Sequence, residues 1–442
     1  MIRADTINNP KLDSASRLKA LESHAAGRRE AAAKASAEIN NHIHTVFSFS
    51  PYTPAMAALC ASDAGLCAAG SVDHDSIAAA EEMIAACAIL GIGGCAGFEL
   101  RVSFKNGIFA GRKINNPDSE GYAYMTVQGI PGKAIPLAAE FLAPIRENRL
   151  QRTRLMCIAA NTLLKDAGIG EINFEADIAG ASQYANGGGI TERHLLAAAA
   201  AKLMEKYGRG SGLTEGLETF LGKAIQPKIA ALLANPDNPH YLYDLLGILK
   251  TDFLPGIYIQ PGENECIPAN RVTSFAQSIG AIPAYAYLGD VGESPTGDKK
   301  AEKFEDDYIE ELFEELSKLG YRAITYMPPR NTLEQLRRVQ RLCSQWGFME
   351  ISGVDINSSR QSFNCPEVLR PEFSHLLDTT WALVAHERLA SADTRLGLFS
   401  RDNPFAGEGM QRRLAIYAGI GKKLDLHHPD ESAAAIAGEL MK

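Results

Sequence analysis

Several signatures that mark large enzyme classes are missing from this sequence. None of its eight cysteines (Cys60, Cys67, Cys87, Cys95, Cys157, Cys266, Cys343 and Cys365) forms a C-x-x-C pair. Buried free thiols in a reducing compartment are therefore expected. There is no P-loop and no G-x-S-x-G, and the glycines at 91–97 open no helix, as a dinucleotide fingerprint requires. Residues 1–35 are charged and helix-like, without the apolar core of a signal peptide. The most apolar stretch, 77–97, contains Glu81 and Glu82 and is broken by glycines. It reads as a buried helix and strand rather than a membrane span, and a cytoplasmic protein is the expectation. Positive charge is also short, with 44 Lys and Arg against 53 Asp and Glu for a net charge of −9. Such a balance speaks against a nucleic-acid coat protein. It leaves room for a basic pocket holding a small anionic, phosphorylated substrate.

What is present is ample apolar material, 46% of 442 residues. That suffices for one large domain with an insertion, or for two domains. An N-terminal helical extension is expected over 1–35, with its helix at 12–36. From 36 to 134 strand and helix alternate at first: a strand at 40–45, a helix opened by Thr53 or Pro54, and a strand ending in Asp73-His74-Asp75. A helix capped by Ser76 and a strand over 94–101 follow. This is the rhythm of a parallel sheet or barrel. Residues 102–134 then read as hairpin and loop. Helix signals dominate 135–254, punctuated by Gly187-Gly188-Gly189 and Asn235-Pro236-Asp237-Asn238-Pro239, as expected of a helical insertion. Strand–helix alternation returns over 255–365, with strands at 257–260, 282–287, 323–326 and 348–354. A loop is expected at 289–300, and helices at 303–318 and 333–346. The remaining 366–442 read as helices packed on the outside.

Three short motifs fall at the ends of successive expected strands. In His42-Ile43-His44 the two imidazoles sit at i and i+2, so both face one side of a strand. Asp73-His74-Asp75 follows one unit later, and Gly97-Phe98-Glu99 one unit after that. Carboxyl ends of barrel strands converge on one site. Imidazole and carboxylate ligands suit zinc, manganese or iron.

These residues resemble a known family. The runs Asn41-His42-Ile43-His44-Thr45, Val72-Asp73-His74-Asp75-Ser76 and Gly97-Phe98-Glu99 are similar to the first three motifs of the PHP (polymerase and histidinol phosphatase) family. Gly353-Val354-Asp355-Ile356-Asn357 resembles its closing G-x-D-x-H. The resemblance covers roughly 36–101 and 255–365. It implies an α/β fold, a distorted (β/α)7 TIM-like barrel, carrying here a helical insertion. It also implies divalent metal ions held by His42, His44, His74, Glu99 and Asp355. Thr191-Glu192-Arg193-His194 resembles the arginine–histidine stretch in the insertion of longer members. The sequence departs from the family pattern in four places. Ser48-Phe49-Ser50 stands where an Asp is usual, and Asn357 where the last histidine is usual. No histidine occurs in the strand Ala284-Tyr285-Ala286-Tyr287-Leu288 or beside Tyr326-Met327-Pro328. Fewer imidazoles imply one or two ions rather than three, with Asp290, or Glu263 and Glu265, as compensating carboxylates.

The implied activity is a metal-dependent phosphoesterase attacking a small phosphorylated metabolite or nucleotide with a metal-held hydroxide. Asp73 or Asp75 is expected to fix a ligand histidine's tautomer. Arg330, Arg360 and Arg193 are candidates to grip an anion, and His194 to donate a proton or contact phosphate. Two alternatives stand beside this reading: amide or ester hydrolysis on the same scaffold, and a non-catalytic binding protein with an incomplete metal site.

Overall fold

The structure is a computed structural model that describes residues 2–27, 37–116, 119–290 and 305–442. Seven strands form one sheet: β1 Ile39–Ile43, β2 Ala68–His74, β3 Gly93–Ser103, β4 Tyr122–Gln128, β5 Ile282–Ala286, β6 Ala323–Tyr326 and β7 Met349–Ser352. They lie side by side in chain order. The β1–β2–β3 and β5–β6–β7 runs are parallel, and β4 is antiparallel to both of its neighbours. This one reversed strand follows from the hairpin at 102–134. A two-strand return needs only a short connection, whereas a parallel crossover needs a helix.

The chain just after β7 brings the sheet nearly to closure. Ile356 bridges to Ile43 in parallel. His44 N donates to Ile356 O at 2.9 Å, and Ile356 N to His42 O at 3.0 Å. The side-chain amides of Asn40 and Asn41 extend the seam, donating to Val354 O and Ser352 O at 2.9 and 3.0 Å. Gly353 is required here because a β-carbon would lie 2.5 Å from that of His42. The fold is thus α/β, a nearly closed seven-stranded barrel sheet surrounded by helices, as expected.

The 32-residue helix Ile135–Asp166 opens the mainly helical region between β4 and β5. That region has its own apolar core, including Met156, Ile178, Leu196 and Leu249. A separate core within the barrel gathers Phe98, Val127, Tyr285 and Ile324. Three local expectations fail. Residues 257–260 form no strand, because Tyr258 and Ile259 pack on the helical core rather than pairing with β5. Ser76 does not cap the next helix. Its hydroxyl accepts from Ala78 N and donates to Gly187 O, and the helix begins at Ala80. The acidic helix starts at Ile309, after a short turn at Asp306–Tyr308. Residues 28–36 of the expected N-terminal helix, 291–300 of the expected loop and 303–304 of the expected acidic helix lie outside the described residues. All eight cysteines are free, Cys60 and Cys67 being only half-buried.

Candidate metal centre

Three strand ends deliver the cluster. β2 and β3 run in a register that sets His74 directly opposite Glu99. His42 and His44 come from β1 and the residue beyond it, and the closing seam carries Asp355 to their side. Glu99 divides its oxygens. Oε1 lies 3.7 Å from His42 Nε2, while Oε2 lies 3.6 Å from His44 Nε2 and 3.0 Å from His74 Nδ1. Asp355 Oδ1 lies 3.4 Å from His44 Nε2. Two overlapping donor groups result, His42/His44/Asp355 and His44/His74/Glu99, each with all ligand atoms within 4.8 Å of one another.

The surroundings fix the ring of His44. Thr45 N donates to Asp73 Oδ1 at 2.6 Å, so that oxygen is an acceptor. Ser48 Oγ lies 2.5 Å from the same oxygen and must give it its only proton. Toward His44 Nδ1, 3.2 Å away, Ser48 can then only accept. The proton of His44 therefore sits on Nδ1, and Nε2 presents a bare lone pair to two carboxylates. Both His44 Nε2 and His74 Nδ1 are buried without a hydrogen-bond partner. Burial, with His74 next, holds the His44 pKa well below the usual imidazole value, so the ring is neutral. Burial alone would raise the pKa of Glu99, but His74 and His42 pull it well below the carboxylate range. For His42 burial opposes protonation, and Glu99 and Asp355 outweigh it.

The lone pair of His44 Nε2, facing carboxylate oxygens at 3.4 and 3.6 Å, is repelled unless a cation lies between them. Metal–ligand bonds of about 2.1 Å place neighbouring donor atoms about 3.0–3.5 Å apart. The closest spacings, 3.0 and 3.4 Å, fall in that range, and the atoms of each donor group lie within 4.8 Å of one another, so the residues fit a divalent ion.

Asn357, where the family pattern has histidine, donates Nδ2 to Asp355 Oδ1 at 2.7 Å and orients it. Arg193, at the start of helix Glu192–Tyr207, donates to Asn357 O at 3.0 Å. Its positive charge is among the influences lowering the His44 pKa. His194 accepts the Thr191 N–H on Nδ1 at 3.0 Å, closing a capping box. Burial, then Arg149, presses its pKa to about 3, so it is neutral at ordinary pH. Arg330 donates to Leu288 O at 3.2 Å. Arg360 is paired with Asp244 of helix Tyr241–Asp252. Asp290 belongs to neither donor group, and its backbone N–H meets Asp306 at 3.1 Å. The tyrosines of the strand ends lacking histidine turn to acids instead: Tyr287 to Asp306 at 2.6 Å and Tyr326 to Glu350 at 2.7 Å.

Beside His74 lies a buried ion cluster that the sequence did not announce. Arg149 reaches Asp75 at 2.5 Å and Glu192 at 2.8 Å. Arg101 and Arg152 both reach Glu192 and Glu265. Three guanidiniums thus balance three carboxylates, tying the inserted helices to β2 and β3. Glu265 is engaged here, and Asp75 holds Arg149 rather than a histidine. The i, i+3 pair Arg149/Arg152 on the buried side of its helix was the one available sequence signal. Strain marks the same place: Phe49 (φ 74°) and Asp75 (φ 53°) are the two non-glycine residues with positive φ among the described residues. Gly189 packs against the His74 carbonyl, where a β-carbon would come within 2.4 Å.

No protein-family model matches the chain, and no curated protein matches it. Solved structures do resemble it. One is an amidohydrolase from Chromobacterium violaceum with bound sulfate and no metal, at TM-score 0.48 and 19% identity, over 76% of this chain and 95% of that one. Another is a Bifidobacterium adolescentis protein provisionally assigned as a metal-dependent phosphoesterase, at TM-score 0.48 and 17% identity, over 74% and 90%. Among the described residues no helix is long and apolar enough to cross a membrane.

Proposed function

We propose that this chain is a metal-dependent hydrolase of the PHP type whose substrate is a small phosphate ester. The observation that carries the reading is the pair of buried, unpartnered nitrogens, His44 Nε2 and His74 Nδ1, aimed at Glu99 and Asp355. His42, His44 and Asp355 would hold one ion, and His74 and Glu99 would contribute to a second. His44 has one free nitrogen and serves a single ion at a time. A bound divalent ion supplies a Lewis acid for phosphoryl oxygens and makes water more acidic.

The chain's own residues do the rest. Ser48 and Asp73 keep His44 in the ligating tautomer. Asn357 steers Asp355. Arg193 supplies a fixed positive charge beside the donor groups, which favours an anionic substrate and charge building up on it. The inserted region meets the site at two points, Gly189 against the His74 carbonyl and Arg193 against Asn357.

The test is metal analysis of the purified chain, together with phosphate release from a panel of monoesters, diesters and nucleotides. Bound manganese, zinc or iron with phosphate release supports the proposal, and Glu99→Ala should abolish both. Metal with turnover only of amides or carboxylic esters would replace the phosphoesterase with another hydrolase. No metal and no turnover would leave a binding protein on the same barrel.

A further inference from the structure

Four of the seven most exposed large hydrophobics among the described residues lie on one helix, Ile135–Asp166: Leu137 (51%), Leu155 (55%), Ile158 (61%) and Leu163 (39%). The spacing along its outer side is regular. Leu137, Phe141, Pro144, Asn148, Gln151, Leu155, Ile158 and Thr162 follow one another at alternating steps of four and three. That is the seam of a coiled coil, about 37 Å long at 1.5 Å per residue. Every residue of the seam is exposed or half-buried, and six of the eight are exposed. Beside its first half runs a groove of about 720 Å³, lined by Leu137, Phe141, Pro144, Ile267 and Phe275 among others. Phe141 stacks on Phe275 at 3.9 Å and forms its floor.

The order of residues says what fits there. The seam is apolar on both sides of a polar middle at Asn148 and Gln151, and it closes on Thr162. Reversed about that middle, it matches itself. Leu137 would meet the partner's Thr162, Phe141 the partner's Ile158, and Pro144 the partner's Leu155, while Asn148 and Gln151 face each other across the axis. The flanking charges match as well, because Glu147 falls opposite the partner's Arg154 on both sides. Both are accessible. Glu147 is exposed, and Arg154 is 38% exposed with a largely solvated partner, Glu175. A two-fold axis requires this kind of self-complementary patch. We infer that a second copy of this chain docks here, helix against helix and antiparallel, with Leu155 and Ile158 of each copy entering the groove of the other.

The experiment is sedimentation of the full chain over a wide concentration range. A species of twice the 47.7 kDa chain mass is expected at high concentration. Ile158→Glu should raise its dissociation constant at least about ten-fold, without altering the circular dichroism of the monomer. Orientation is tested by mixing two single variants, Leu137→Cys and Thr162→Cys, under mild oxidation. An antiparallel seam gives a disulfide between the two variants and little within either alone. A chain that stays monomeric throughout overturns the inference. So does a dimer indifferent to Ile158→Glu, or cross-linking of each variant with itself.

Discussion

Replacing Ser48 by alanine tests whether the donor set is a ligand set. Ser48 Oγ stands between Asp73 Oδ1 (2.5 Å) and His44 Nδ1 (3.2 Å), and it decides which nitrogen of His44 carries the proton. Without the hydroxyl, His44 is free to turn or to protonate Nε2, and either change removes the lone pair offered to an ion. Loss of such an outer partner typically costs about 10–100-fold in metal affinity, or about 1.4–2.7 kcal/mol. A buried N–H left unmatched adds about 1–3 kcal/mol of lost stability in the metal-free protein. Thr45→Val is the control. Thr45 Oγ1 donates to the same carboxylate, at Asp73 Oδ2 and 2.6 Å, yet does not touch His44. Metal affinity would be read by competition with a chromogenic chelator, and stability by urea unfolding after chelation. The expected order is a clear loss of affinity for Ser48→Ala and little change for Thr45→Val. If Ser48→Ala binds metal as tightly as the parent, or if the two variants lose affinity equally, the tautomer argument fails.

Three further outcomes follow from the geometry. Gly353→Ala would put a methyl 2.5 Å from the His42 β-carbon, so a loss of about 1–3 kcal/mol in urea unfolding and weaker metal binding are expected. Unchanged binding would show that the seam does not position His42. Arg149→Met leaves Asp75 without its buried guanidinium and takes one of three from Glu192. It should cost about 3–5 kcal/mol, and a loss below about 1 kcal/mol would show the cluster to be dispensable. His386 accepts Leu398 N on Nδ1 at 2.8 Å and contacts Gly129 O through Nε2 at 3.0 Å, and burial presses its pKa to about 4. The unfolded chain takes up that proton near pH 6.5 and the folded chain only near 4, so this residue makes the fold less stable as pH falls through that window. Between pH 7 and 5 its share is about 2 kcal/mol, and His386→Gln should remove that much of the pH dependence in urea unfolding.

How far the sequence could be read depended on how local each cause was. His42, His44, His74 and Glu99 were legible because period-two alternation and short strand-to-strand connections carry them to one end of the sheet. β4 was legible as a hairpin, although its place between two parallel runs was not. Asp355 and Asn357 were legible only by resemblance, because the seam that delivers them depends on Asn40, Asn41 and Gly353 meeting across more than three hundred residues. The cluster of Arg101, Arg149 and Arg152 with Asp75, Glu192 and Glu265 left almost no local trace. Charge pairing has no periodicity, and each of its members reads as a solvated side chain until the tertiary fold removes the water. Arg360 shows the converse. A basic residue five places after Asp355 is close in sequence, but Asp244 sits nearer in space and takes it. The candidate anion-gripping arginines are therefore the residues that sequence places least well, because the fold supplies their neighbours. Of the three arginines singled out, Arg193 alone approaches the donor groups through a described contact, and it does so on an inserted helix that the ion cluster anchors to the barrel.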